Sequence, residues 1–130
     1  MSSRNRELTE RAFEALGRRD LDAFLELVDP EVEFTSLIAE AEGQIFRGHD
    51  GVRDWWERVA DSMGGLDFRI DELEEIGELV IVRVRVTGTI GDVPVSQTMY
   101  QALRAREGRA VWWHTVRTRE EALAAAEVEK

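Results

Sequence analysis

Phe46-Arg-Gly-His-Asp-Gly-Val-Arg-Asp-Trp-Trp56 is a glycine turn that opens directly into an aromatic helix. Beyond Asp50 the apolar residues Val52, Trp55, Trp56, Val59, Ala60 and Met63 recur at i, i+3, i+4, i+7, i+8 and i+11. That spacing is one face of a helix and rules out a strand. Two adjacent tryptophans on the face exceed what a small core needs for filling, and they can equally wall a cavity. No nucleophile–base pair, metal cluster or phosphate loop stands beside them. The helix is expected to end near Met63-Gly64-Gly65.

After Gly65 the period changes from that of a helix to that of a strand. Phe68, Ile70 and Leu73 alternate with charges, and Leu79-Val-Ile-Val-Arg-Val-Arg-Val-Thr87 is the strongest strand signal in the chain. Val80, Val82, Val84 and Val86 point one way there, and Arg83, Arg85 and Thr87 the other. The register predicts valines under the helices and arginines on the outer face, paired with acids such as Asp71 or Glu75. Gly91-Asp92 reads as a hairpin tip, 95–106 as the return strand, Glu107-Gly108 as a second hairpin turn and 110–117 as the last strand. Thr118, with Glu121 three residues on, resembles a capping box for a final alanine-rich helix over 119–127 that is prone to fray.

Upstream, a first helix is expected over 5–16 with Leu8, Ala12, Phe13, Ala15 and Leu16 buried, stopped by Gly17. Asp20 reads as the N-cap of a second helix carrying Leu21, Phe24, Leu25 and Val28, which Asp29-Pro30 terminates. Glu31-Val-Glu-Phe-Thr35 alternates as a short strand, 36–43 is a loop, and 44–47 is a strand pairing back on the first. The fold class that follows is α+β. A curved antiparallel sheet forms a cone with three helices packed on one face, plus a short C-terminal helix. A hollow of that shape is commonly a ligand site.

Composition narrows the function classes. At 130 residues the chain is expected to form one domain over 1–130, and 43% hydrophobic content with two prolines argues against disorder. No cysteine is present, which excludes disulfides, zinc thiolates and thiol chemistry. A net charge of −10, with arginines spread along the chain, argues against nucleic acid. No apolar run approaches a membrane span, and the charged N-terminus lacks a signal-peptide core, so a cytoplasmic location is the expectation. No metal and no cofactor are implied.

Three stretches carry a resemblance. Residues 12–34, from Ala12-Phe-Glu-Ala-Leu to Pro30-Glu-Val-Glu-Phe34, are similar to the opening of nuclear-transport-factor-2-like proteins, particularly the SnoaL-like group. Phe46 to Trp56 resembles the start of that family's third helix. Gly108-Arg-Ala-Val-Trp-Trp-His-Thr-Val-Arg-Thr-Arg-Glu-Glu-Ala-Leu123 resembles its last strand and terminal helix. The superfamily hosts polyketide cyclases, ketosteroid isomerases, epoxide hydrolases, dehydratases and non-enzymatic binders, so the resemblance implies a cone fold more than a reaction. Ketosteroid isomerases of this fold use a tyrosine, a carboxylate base and a second acid. Their places fall at Ala12, Ser36 and near Gln101, and none of the three groups is there. SnoaL-like cyclases use a late carboxylate assisted by histidine. His114 stands near that region, but its strand neighbours Trp113 and Thr115 bring no carboxylate. The Asp-Arg-Asp relay of the epoxide hydrolases has no evident counterpart.

His114 is the candidate acid/base, since histidine titrates near neutral pH. Its strand position places it with Trp112 on the outer face, where a surface or interface role competes with a catalytic one. His49 and Asp50, at a helix N-terminus, are explained by capping. Gln101 is expected to point inward, to orient a ligand or to bond a neighbour. Ser36 lies at the mouth of the hollow without a base, and Glu40 and Glu42 above it are solvated. The expected pocket is largely apolar, lined by Phe13, Leu16, Phe34, Ser36, Phe46, Trp55, Val59, Met99, Gln101 and Trp113. Its ligand would be a small hydrophobic molecule, with the reaction open. One alternative is a polyketide cyclase- or isomerase-type enzyme using His114. Another is a non-enzymatic dimerisation or accessory module whose pocket is filled by its own side chains. Tyr100 and Trp112 on the outer face predict a homodimer there.

Overall fold

The computed structural model describes residues 4–35, 45–59 and 66–129. Helices α1 (Arg4–Arg18) and α2 (Leu21–Glu26) lead into strand β1 (Val28–Phe34). Strand β2 (Phe46–Arg47) runs into helix α3 (Gly48–Val59). A meander follows of β3 (Leu66–Ile76), β4 (Leu79–Ile90), β5 (Val93–Arg106) and β6 (Arg109–Val116), and helix α4 (Arg119–Glu129) ends it. The six strands form one curved, unclosed sheet in the order β2-β1-β6-β5-β4-β3. The sheet is mixed where a wholly antiparallel one was expected, because β1 and β6 run parallel. A parallel neighbour requires a long crossover, and here everything from β2 to β5 supplies it.

The junction between α1 and α2 is closed by one residue used twice. Asp20 N–H donates to Ala15 O (2.9 Å) and Arg19 N–H to Leu16 O (3.2 Å), the two bonds of a Schellman motif. Asp20 Oδ1 then accepts from Ala23 N–H at 3.1 Å and caps α2 as expected. The helix does not stop at Gly17. It runs through to Arg18, and Arg19 takes the left-handed conformation at φ 57°. The second helix also ends earlier than Val28. That residue is fully buried in β1 opposite Ala110, whose N–H donates to Leu27 O at 2.9 Å. Pro30 therefore sits inside a strand, in the stretch between Val28 and Glu33 where the ladder with β6 shifts register.

The sheet separates two cores. On the inner face Val80, Val82, Val84 and Val86 of β4 pack with Ala12, Phe13 and Ala15 of α1, Phe24 and Leu25 of α2, and Val52 and Trp55 of α3. Arg83 and Arg85 lie on the opposite face, as the alternation predicted, and bond Glu72 (3.5 Å) and Asp71 (3.2 Å) across the β3–β4 pair. The ladder shifts register between Ile70 and Glu72, which sets Glu72 rather than Asp71 opposite Arg83, while Glu75 lies opposite Val80.

On the outer face α4 builds the second core, with Ala122 and Ala126 against Leu79, Ile81, Ala102, Trp112 and Val116. Alanines let this helix approach the sheet closely. Thr118 Oγ1 accepts from Glu121 N–H at 3.1 Å. Arg119 grips Glu74 of β3 through two bonds of 2.9 and 2.7 Å, and Arg104 donates to Ala126 O at 3.3 Å. The helix expected to fray is thus tied at both ends. Trp112 is 2% exposed, covered from within the chain. It cannot be the exposed aromatic that motivated a partner subunit.

Candidate functional site

Two glycines place α3, and with it the tryptophan pair. Gly48 has φ +70°, and a Cβ there would lie 2.8 Å from Pro30 O. A Cβ on Gly51 would lie 2.9 Å from the carbonyl carbon of Phe46. Both positions exclude a side chain, so the helix starts tight against β1 and β2. His49 does not cap the helix. Its Nε2 is 2.8 Å from Val28 O, which as an acceptor requires the proton on that nitrogen, and so it pins α3 to the start of β1. Asp50 is fully exposed and bonds Arg53 at 3.1 Å.

Held this way, Trp55 meets the ring of Phe34 edge-on at 4.7 Å between centroids. Trp113 lies behind, 5.5–5.8 Å from Phe13, Phe24 and Phe34. Trp56 completes the group 5.8 Å from Phe24. Offset and edge-on rings at these separations are favourable pairs. The expected lining residues Phe13, Phe34, Phe46, Trp55, Met99 and Trp113 are buried in this one cluster, with Leu16 packed against it. Ser36, Glu40, Glu42 and the side chain of Val59 lie outside the described residues.

Gln101 points inward, and its Oε1 accepts from Trp113 Nε1 at 2.6 Å. This bond gives the buried amide its partner. Two other buried polar atoms have no hydrogen-bond partner among the described residues, Trp55 Nε1 and Thr35 Oγ1.

His114 lies on the other side of the sheet, stacked on Trp112 at 4.5 Å and 20°. The carboxylate that its own strand lacks comes from β1. Glu33 Oε2 is 2.9 Å from His114 Nε2, and Glu33 Oε1 is 3.3 Å from Arg47 Nη1. The side chains of His114 and Glu33 are 20% and 29% exposed. Glu33 is the residue that sequence reasoning missed. Its place opposite Phe34 in an alternating strand was legible, but the parallel pairing that sets it beside His114 was not. The dyad is partly open to solvent on the outer face. The sheet stands between it and the aromatic cluster. An open groove of about 820 Å³ at the β5–β6 turn, lined by Arg4, Glu31, Glu78 and Arg106 among others, is polar and shares no residue with either group.

A curved mixed sheet with three helices over its inner face is the nuclear-transport-factor-2-like cone. Residues 9–124 match the SnoaL-like domain, and the chain belongs to that family. No curated protein matches the chain. Among solved structures it is similar to TerC co-crystallized with polyporic acid, with 21% identity, TM-score 0.79, and coverage of 98% of this chain and 100% of that one. It is also similar to an NTF2-like protein of unknown function from Burkholderia pseudomallei K96243, with 24% identity, TM-score 0.80, and coverage of 95% and 97%. A third is a protein proposed to be a polyketide cyclase from Sinorhizobium meliloti, with 23% identity, TM-score 0.68, and coverage of 84% and 93%. Identities this low carry the fold alone. No helix among the described residues is long and apolar enough to cross a membrane.

Proposed function

We propose that this SnoaL-like protein binds a small, flat, mainly hydrophobic molecule within the inner aromatic cluster. The observation that carries this reading is the gathering of Phe13, Phe34, Trp55, Trp56 and Trp113 around one hydrogen-bonded polar pair, Gln101–Trp113. Apolar walls with few polar groups are the usual make-up of a ligand site. The polyporic acid in the TerC crystals and the proposed polyketide cyclase from Sinorhizobium meliloti favour an aromatic or polyketide-like ligand.

The reaction stays unassigned. A second reading, a cyclase- or isomerase-type enzyme with His114 as acid/base, is favoured by the Glu33 carboxylate at 2.9 Å. That pair would have to act on a substrate at the outer face. In either reading, two copies pair through the outer face beyond α4, around Tyr100. Light scattering that gives a monomer mass at micromolar concentration removes this part.

The four tryptophans make the test internal. Polyporic acid is titrated into ¹⁵N-labelled protein, and the indole N–H resonances are followed. Binding in the cluster moves those of Trp55, Trp56 and Trp113 and leaves Trp112 still, because Trp112 is on the opposite face under α4. Movement of Trp112 with the other three unchanged puts the ligand beside His114 and supports the second reading. No saturable change favours the accessory module with a self-filled pocket.

A further inference from the structure

We infer that Trp55 is a specificity-determining donor, and that the ligand presents an acceptor oxygen, carbonyl or phenolic, to its indole N–H. This inference rests on the pocket reading above and adds to it the chemistry of the bound molecule. Trp55 is 4% exposed, and its Nε1 has no partner among the described residues. Its ring stands edge-on to Phe34 at 4.7 Å inside the inner cluster.

An indole nitrogen can only donate, and a buried donor without an acceptor is costly enough that native proteins rarely leave one. The other two indoles described in detail are accounted for differently. Trp113 donates to Gln101 within the protein, whereas Trp112 lies in the outer core under α4. A trapped water is a poor answer for Trp55, since a buried water needs two to four polar partners and the rings against Trp55 are those of Phe34 and Trp56. An oxygen carried on a hydrophobic body meets the requirement, because it accepts the proton while the body fills the apolar walls. That requirement suits an aromatic ketone, quinone or phenol better than a hydrocarbon.

The test uses two probes of the same shape, indane and 1-indanone, which differ by one carbonyl. Binding is followed by the indole resonances of the whole chain, with Trp55 assigned by its loss in Trp55→Phe. The expected result is that 1-indanone binds about five- to tenfold more tightly than indane, the worth of one net hydrogen bond, and moves the Trp55 Nε1–H signal downfield. Trp55→Phe should erase that preference while still binding indane. Equal affinities for the two probes, or a Trp55 proton unmoved by 1-indanone, overturn the inference and leave the pocket standing. Binding of neither probe overturns the pocket reading and this inference with it.

Discussion

His114 and Glu33 face each other at 2.9 Å on the side of the sheet opposite Trp113, so this hydrogen-bonded pair and the aromatic cluster are separate features of one strand pair. His114→Ala should therefore leave ligand binding in the cluster unchanged. It should lower stability by about 1–2 kcal/mol, from loss of a part-exposed hydrogen bond to Glu33 and of stacking on Trp112. Urea unfolding beside a ligand titration checks both. Loss of binding in a protein that remains folded would move the site to the outer face.

The Gln101–Trp113 bond is short and buried. Gln101→Leu strands the indole proton and Trp113→Phe strands the amide, each at about 1–3 kcal/mol for the orphaned group. The double variant should lose less than the sum of the two. A double-mutant cycle by denaturant unfolding measures the coupling, and strict additivity would mean that the bond contributes nothing.

The glycines of this chain are not equivalent. Gly48→Ala adds a left-handed strain to a 2.8 Å clash with Pro30 O, and Gly51→Ala a 2.9 Å clash with the Phe46 backbone. Each should cost about 2 kcal/mol or more. Gly17→Ala meets nothing within 4 Å in a helix and should stabilise by about 0.5 kcal/mol. Thermal melts of the three variants test the order.

Acid should loosen α4 before it loosens the sheet. The Arg119 guanidinium, through its hydrogen bonds, holds the Glu74 carboxyl below its ordinary value. A carboxyl depressed in the folded state stabilises at pH above its unfolded value, and that contribution is lost as pH falls through the folded one. The pair is exposed, so the effect is a modest one. Amide exchange in 119–129 should rise on acidification ahead of that in β4, and Arg119→Gln should flatten the difference. An unchanged pH profile in that variant would show that the alanine packing alone holds the helix.

Local signals in the sequence were read faithfully by the fold. The change of period after Gly65, the cap at Asp20, the turns at Gly91 and Glu107 and the two faces of β4 all depend on neighbours within a few residues. What was not legible depends on distant partners or on non-glycine exceptions. Arg19, not Gly17, takes the left-handed turn because the Schellman bonds fall two residues later. Pro30 enters a strand because the register shift spares its missing donor. The parallel β1–β6 pairing, and through it the carboxylate at His114, joins residues 81 apart. The gathering of the expected lining residues followed from their inward register, whereas the partnership of Gln101 and Trp113 required the fold in three dimensions.

That parallel pairing also bears on the order in which the molecule can be finished. As the chain leaves the ribosome, Phe13, Phe24, Phe34 and Trp55 emerge long before β6, the strand on which β1 must rest. Until β6 arrives, the strand partner of β1 among the described residues is the two-residue β2, and the aromatic surface lacks Trp113. Completion depends on closing a long loop, a step whose entropy slows folding and prolongs the exposure of sticky intermediates. Truncations that remove β6 should therefore yield an aggregating product and not a smaller folded one.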